Sequence, residues 1–228
     1  KFLINIMRNT LLVIGVGGTL GKSVYDFYSK DKSFSIYGTS TKVDNLSENI
    51  FHLDFCNLDT INNLPKIKID HIIITSGFKP QFNLENTSET HLKKMFDIHL
   101  IGPIMLFKKL RNNLSSNSSI TMISSPAAWQ GSYDPAYSAV KGATNSLVRT
   151  LAKDLAPKTR VNALSPSLIK DSTVYNGMSE EFKQKHINNT LNKKLLEIDQ
   201  CIHGIDFIIK NQHFTGQILH INGGMIYG

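Results

Sequence analysis

The stretch Leu11-Leu12-Val13-Ile14-Gly15-Val16-Gly17-Gly18-Thr19-Leu20-Gly21 decides how the rest of the chain is read. Four consecutive apolar residues with no polar alternation indicate a strand buried on both faces. Gly15, Gly18 and Gly21 then give a tight turn, and an amphipathic stretch runs on through Tyr28. A strand, a glycine turn and a helix in this order aim backbone N–H groups of a helix N-terminus at one spot, which suits a phosphate. The spacing is Gly-x-x-Gly-x-x-Gly. Leu20 stands where the last glycine of Gly-x-Gly-x-x-Gly would fall. A turn serving the fold alone is the competing reading.

Short apolar runs alternate with longer amphipathic segments to the C-terminus, with no internal repeat and no low-complexity tract. Further strands are expected at 34–37, 50–53, 71–74, 119–123, 160–164 and 217–221. Helices are expected at 90–113, 135–155, 180–189 and 198–210. This pattern predicts an α/β fold, a single Rossmann-type doubly wound domain over 1–228 with a mostly parallel seven-stranded sheet and helices on both faces. Met7 reads as a natural start, which makes 1–6 an N-terminal extension. Ligands of such sheets sit beyond the carboxyl ends of the strands.

Of the 228 residues, 41% are hydrophobic and 19% charged, too apolar for a disordered chain. No apolar run approaches the ~20 residues that span a bilayer. Cys56 and Cys201 stand far apart in no metal-ligand pattern, so a reduced, cytoplasmic setting without metal is expected. The formal charge of +7 comes from lysines scattered along the chain, in doublets at most. No basic stripe with interleaved aromatics is present, so neither a nucleic acid nor a membrane is expected as partner.

The residues at the expected strand ends carry chemistry. After the second strand, Tyr37-Gly38-Thr39-Ser40-Thr41-Lys42 has no carboxylate before Asp44. Dinucleotide folds use an acid there for ribose hydroxyls, whereas hydroxyls and a cation accept a 2′-phosphate. Thr39, Ser40 and Lys42 are therefore expected to select NADPH over NADH. Asp54, next to Phe55, either accepts a hydrogen bond from the adenine or caps a helix starting near Leu58. Tyr137 and Lys141 lie four apart, on one helical face. Tyr28 and Lys32 repeat that spacing, so the spacing alone decides nothing. What distinguishes Tyr137 is the preceding strand, which ends in Ile123-Ser124-Ser125.

The ordered set of these features resembles the short-chain dehydrogenase/reductase superfamily over nearly the whole chain. The matching features are the glycine turn, Leu53-Asp54, Ile72-Ile73-Ile74-Thr75-Ser76-Gly77, Ile123-Ser124-Ser125 and Tyr137-x-x-x-Lys141. Arg160-Val161-Asn162, Thr215-Gly216-Gln217 and Asn222-Gly223-Gly224 complete them. The resemblance implies a hydride transfer between a nicotinamide and a ketone or secondary alcohol, with a 3-oxoacyl substrate or one on an acyl carrier protein as candidates. It implies that Ser125 holds the substrate oxygen, with Ser124 as the rival serine. Tyr137 would transfer the proton, and Lys141 would bind the nicotinamide ribose and depress the phenol pKa. It further implies cofactor contacts from Gly15, Gly18, Thr19, Leu20, Gly21, Ser76, Gly77, Pro166 and Ile169. A substrate lid over 168–191 and a homodimer or homotetramer are implied in the same way.

Three features depart from the family pattern. His99 stands where the family often has an asparagine that organises a water, and is either a proton relay or a core histidine. Thr19 replaces a glycine, as in NADPH-using ketoreductase domains of polyketide synthases. Thr75-Ser76-Gly77 replaces Asn-Ala-Gly. Gly102-Pro103 is expected to strain its helix, and Trp129 either lines the pocket or packs its loop. Two other readings share the fold, a non-catalytic NADP-binding regulator and a sugar-nucleotide-modifying enzyme of the same superfamily.

Overall fold

The computed structural model describes residues 8–226; the expected extension at 1–6 lies outside them. Seven strands, β1 (Asn9–Ile14), β2 (Phe34–Ser40), β3 (Ile50–His52), β4 (Ile69–Ile74), β5 (Leu114–Ile123), β6 (Thr159–Pro166) and β7 (Ile218–Ile221), form one sheet. Its order is β3-β2-β1-β4-β5-β6-β7, and every pairing is parallel. The strand order reverses between β1 and β4, which opens the crevice where such sheets bind ligands.

Alternation along β1 sends side chains to two separate cores. Leu12 and Ile14 join one core with Ile72, Ile74, Ile120 and Met122, closed by Leu106, Leu110 and Val148. Those three come from α3 (Gly102–Leu110) and α5 (Pro135–Asp154). Leu11 and Val13 face the other way, onto Val24 and Tyr28 of α1 (Thr19–Ser29) and Cys201, Ile202, Ile205 and Ile208 of α8 (Ile198–Lys210). Arg160 fixes α8 by donating to the Ile208, Ile209 and Asn211 carbonyls at 2.7–2.9 Å, which satisfies acceptors at the helix end. Asn162 holds β7, donating to the Phe214 carbonyl and accepting from the Gln217 N–H.

The helix expected at 90–113 is interrupted. It comprises α2 (Glu89–Phe96), a π-helical turn (Asp97–Ile101) and α3. Pro103 lacks an N–H and its ring crowds the carbonyl four residues back, so the preceding turn widens. Gly102 is required there, because a Cβ would collide with the Phe55 ring. Two shorter helices escaped the sequence reading, α4 (Ala127–Gln130) and α6 (Thr173–Asn176), and α7 (Glu180–Asn188) follows them. No helix among the described residues is long and apolar enough to cross a membrane.

Candidate active site

The glycine turn leaves β1 with Gly15 at φ +96°, and a Cβ there would press on the Ser76 backbone nitrogen at 2.7 Å. A Cβ at Gly21 would meet the Gly15 carbonyl. Gly18 differs, since its Cβ would find nothing nearer than 3.8 Å. Two of the three glycines thus serve the close packing of turn, helix and β4, and the third leaves open space at the helix entrance. Helix α1 has no capping side chain and no acid in its first turn, and its first bond is Lys22 N–H to the Gly18 carbonyl. The N–H groups of Thr19, Leu20 and Gly21 are left for an external anion. Leu20 packs its side chain against the α1–α8 core.

The end of β2 corrects part of the expected 2′-phosphate site. Thr39 is 1% exposed, and its hydroxyl accepts the Gly15 N–H at 3.1 Å while its carbonyl accepts the Val16 N–H at 2.9 Å. It is a brace for the glycine turn, and burial keeps its hydroxyl away from a phosphate at the surface. Ser40 is equally buried, and its oxygen accepts the Lys42 N–H and the Asn45 amide, which leaves only its proton to donate. Lys42 is exposed.

Asp54 does not cap the following helix. The 3₁₀ segment Leu58–Asn63 is capped by Asn57, which accepts the Asp59 N–H at 3.2 Å, whereas Asp54 closes a local turn on the Cys56 N–H at 2.9 Å. The Phe55 side chain is buried against Gly102, so only its backbone can serve a ligand.

At the carboxyl ends of β4 and β5 the expected catalytic residues meet. The two serines separate cleanly. Ser124 is 2% exposed and donates to Asn145 Oδ1 at 2.6 Å inside the fold. Ser125 accepts the Ala127 N–H at 3.2 Å and stands close enough to the half-buried Tyr137 phenol to act on its pKa. Burial raises the phenol pKa above its ordinary value, and Ser125 opposes this. Lys141, one turn on, donates to the Ile123 carbonyl at 2.8 Å and lies 5.5 Å from the Tyr137 ring centre. Burial brings its pKa down to about 7. A lysine so close to neutrality carries only part of a charge at pH 7.

His99 sits in the π-helical turn, 6% exposed, with its ring 6.1 Å from that of Tyr137. Its Nε2 lies 2.9 Å from the Phe78 N–H and 3.0 Å from the Phe78 carbonyl, and so either accepts from the one or donates to the other. Burial, with the adjacent Lys141 charge, takes its pKa down to about 3. His99 is therefore neutral at physiological pH and is no proton carrier titrating near 7. It braces the loop after β4, and a cavity of about 10 Å³ between His99, Ser76, Pro103 and Thr144 has room for a single water at most.

Ser76 and Gly77 form that loop. The Ser76 N–H is spent on the Ile14 carbonyl at 2.9 Å, but its hydroxyl is buried with no partner, as is that of Ser165 on β6. Pro166 ends β6, and Ile169 follows in a single bridge to Leu196. Beyond it Thr173 reaches the glycine turn: its N–H and hydroxyl both stand 3.3 Å from the Thr19 oxygen. Trp129 packs edge-on against His220 of β7 at 4.5 Å, and 40% of it is exposed.

Known proteins resemble this arrangement. A family model described as enoyl-(acyl carrier protein) reductase matches residues 43–226. The chain is a short-chain dehydrogenase/reductase. An uncharacterised oxidoreductase, YmfI of Bacillus subtilis, is 25% identical over 96% of this chain and 99% of its own length. The 3-oxoacyl-[acyl-carrier-protein] reductase FabG of Buchnera aphidicola from Acyrthosiphon pisum is 27% identical over 97% and 98%. A crystal structure of a short-chain dehydrogenase family protein from Francisella tularensis superposes with a TM-score of 0.87 at 22% identity, covering 96% of this chain and 98% of that one. As a short-chain dehydrogenase/reductase the protein is an oxidoreductase of CH–OH and C=O groups.

Two residues of this dehydrogenase went unnoticed in the sequence. Asn145 lies four residues after Lys141 on the same helical face, a spacing that could have flagged it as the Ser124 partner. Asp134 is the N-cap of α5 and accepts the Tyr137 N–H at 3.1 Å. Its place before Pro135 in an Asp-Pro-x-Tyr string is a readable helix start.

The buried lysine has a measurable signature. The unfolded chain keeps Lys141 protonated up to about pH 10.4, whereas the folded protein releases that proton near pH 7. Between these values the unfolded state binds more protons, so stability rises with pH. Relative to Lys141→Met, the parent protein should gain up to about 1.4 kcal/mol per pH unit from pH 7 to 9.5. Denaturant titrations of both proteins across that range check it, and parallel curves would contradict a buried amine of lowered pKa.

Proposed function

We propose that the protein is an NADPH-dependent carbonyl reductase, working reversibly as an alcohol dehydrogenase, with 3-oxoacyl thioesters as its substrate class. The observation that carries this reading is the meeting of Ser125, Tyr137 and Lys141 beside a glycine turn with an uncapped helix N-terminus. The residues present fit a dinucleotide. The open space at Gly18 and the free N–H groups of α1 would suit its pyrophosphate, and the Ser76 and Ser165 hydroxyls, buried without a partner near the ends of β4 and β6, would be available to it. When bound, the nicotinamide supplies the hydride for reduction or takes it up in oxidation.

The chain's own residues handle the oxygen and the proton. Ser125 and Tyr137 hold the substrate oxygen by hydrogen bonds. As the carbonyl carbon becomes a carbinol, the phenol gives its proton to that oxygen. A phenol whose pKa is raised by burial stays protonated and ready to donate at neutral pH. Lys141, partly charged near neutrality, favours the phenolate left behind and takes the ribose hydroxyls. The segment 168–191 acts as the lid, tied to the phosphate turn through Thr173 and Thr19.

The 3-oxoacyl class rests on the FabG relative, which aligns over nearly the whole chain. NADPH preference rests on the carboxylate-free end of β2 and on Lys42. Lys42→Glu should therefore lower the ratio of NADPH to NADH efficiency at least ten-fold in steady-state assays, and an unmoved ratio would place the 2′-phosphate elsewhere. The unpaired Cys56 and Cys201 support a reducing cytoplasmic setting. The exposed Leu92, Phe96, Ile101 and Ile104 support assembly into a homodimer or homotetramer through the long broken helix. NADPH consumption on a panel of 3-oxoacyl thioesters and simple ketones tests the whole reading. Binding of NADPH with no turnover on any of them would favour a non-catalytic binder.

A further inference from the structure

Asp134 is completely buried and gathers four donors. One oxygen, Oδ1, accepts the Tyr137 N–H at 3.1 Å. The other, Oδ2, accepts the Gln81 N–H at 2.9 Å, the Phe82 N–H at 3.4 Å and the ring Nε2 of His91 at 2.9 Å. Burial by itself would raise the carboxyl pKa, but the hydrogen bonds from Gln81, Tyr137, His91 and Phe82 outweigh it and hold the pKa low. The carboxylate is thus ionised and acts only as an acceptor, so His91 must donate through Nε2. The other nitrogen, Nδ1, is buried without a partner, and the ring lies between Phe78 and Phe82 at 5.7 and 4.9 Å.

This pair joins three separate parts of the fold. His91 belongs to α2, where Ser88 caps the helix on the His91 N–H. Gln81 and Phe82 belong to the loop that leaves β4 by way of Ser76 and Gly77. Tyr137 opens α5. The same loop is held at its near end by His99 on Phe78, and the Tyr133 hydroxyl donates to the Pro80 carbonyl at 2.9 Å. An apolar residue at position 91 would fill the space between the phenylalanines without leaving a buried nitrogen unpaired. What histidine adds is the bond to Asp134.

We propose that the buried His91–Asp134 pair is a positioning device for the Tyr137 phenol, locking the first turn of α5 and the 78–82 loop into one rigid unit. Neither residue touches the reacting atoms. The idea rests on the reductase reading, because it assigns the pair to the proton donor of that reaction. Fixing the Tyr137 backbone at its N–H sets where the phenol stands relative to Ser125, and misplacing a donor by an ångström is enough to slow proton transfer severely.

The test compares His91→Phe, which keeps the ring volume and loses the donor, with His91→Gln, which keeps a donor. For His91→Phe we expect kcat on a reducible carbonyl to fall at least ten-fold while the NADPH dissociation constant changes less than three-fold. His91→Gln should recover a third or more of the lost kcat. A kcat for His91→Phe within two-fold of the parent overturns the proposal. So does a parallel loss of kcat and cofactor affinity that His91→Gln does not repair, since that is ordinary loosening of the fold. If His91→Phe does not fold, His91→Met, a donorless and adaptable filler, is judged by the same criteria. A separate readout covers failure of the reductase reading itself. The Tyr137 phenol titration, isolated by subtracting the ultraviolet titration of Tyr137→Phe, should move toward about 10 in His91→Phe as the first turn opens to water. An unmoved titration overturns the pair's role even in a protein that reduces nothing.

Discussion

Tyr137→Phe is expected to lower kcat for carbonyl reduction about a thousand-fold and to leave the NADPH dissociation constant within three-fold. The exchange removes one hydroxyl and keeps the ring, so the packing against His99 at 6.1 Å and the α5 cap at Asp134 both persist. Two things are lost at once. The substrate oxygen no longer receives a proton as negative charge develops on it, and it loses one of the two hydroxyls proposed to hold it. Neither neighbour can take over. His99, with a pKa near 3, holds no acidic proton at neutral pH. Lys141 has its ammonium engaged by the Ile123 carbonyl at 2.8 Å. Steady-state rates with cofactor fluorescence titration check both halves. Turnover within ten-fold of the parent would move the acid to another residue.

Gly15→Ala should act on the other half of the site, raising the NADPH dissociation constant at least a hundred-fold, or about 2.7 kcal/mol. Position 15 has φ +96°, where a side chain is strained wherever the space is. Here the space is also missing, because the added carbon meets the Ser76 nitrogen at 2.7 Å. That contact is with backbone, and the Ser76 N–H is committed to the Ile14 carbonyl, so no side chain can turn aside. The turn or the loop after β4 must shift, and both border the cofactor cleft. The Gly15 N–H bond to Thr39 would be distorted as well. A variant that folds and binds NADPH as tightly as the parent would show that the turn does not hold the pyrophosphate.

How far the sequence could be read depended on whether the signal was local. Apolar runs such as Ile72-Ile73-Ile74 announced buried strands, and their alternation with helical segments sufficed for the doubly wound sheet. The long helix read as continuous because its apolar spacing carries through Pro103, whereas the backbone answers to the missing N–H and widens into a π-helical turn. The first half of β5 was hidden, since Ser115, Ser116, Asn117 and Ser118 look like a loop; Leu114 pairs with Ile69 of β4, and pairing with β6 begins at Ser118. Thr39 and Ser40 looked free to bind a phosphate. Only the folded turn reveals that both are buried, the Thr39 hydroxyl accepting from Gly15 and the Ser40 oxygen from its own neighbours. Ser124 and Ser125 are alike in the sequence and differ in the face each presents, Ser124 being turned inward onto Asn145. His91 and Asp134 are 43 residues apart and share no local pattern.

Direct transfer of hydride assisted by the Tyr137 proton is measured without intermediaries by isotope transfer. NADPH deuterated at the reactive carbon, on each face in turn, is incubated with the protein and a panel of 3-oxoacyl thioesters and ketones. One of the two labels is expected at the carbinol carbon of the product, and Tyr137→Phe, with cofactor still bound, is expected to abolish the transfer. Deuterium that stays on the nicotinamide across the whole panel, or that Tyr137→Phe transfers as fast as the parent, would contradict that mechanism.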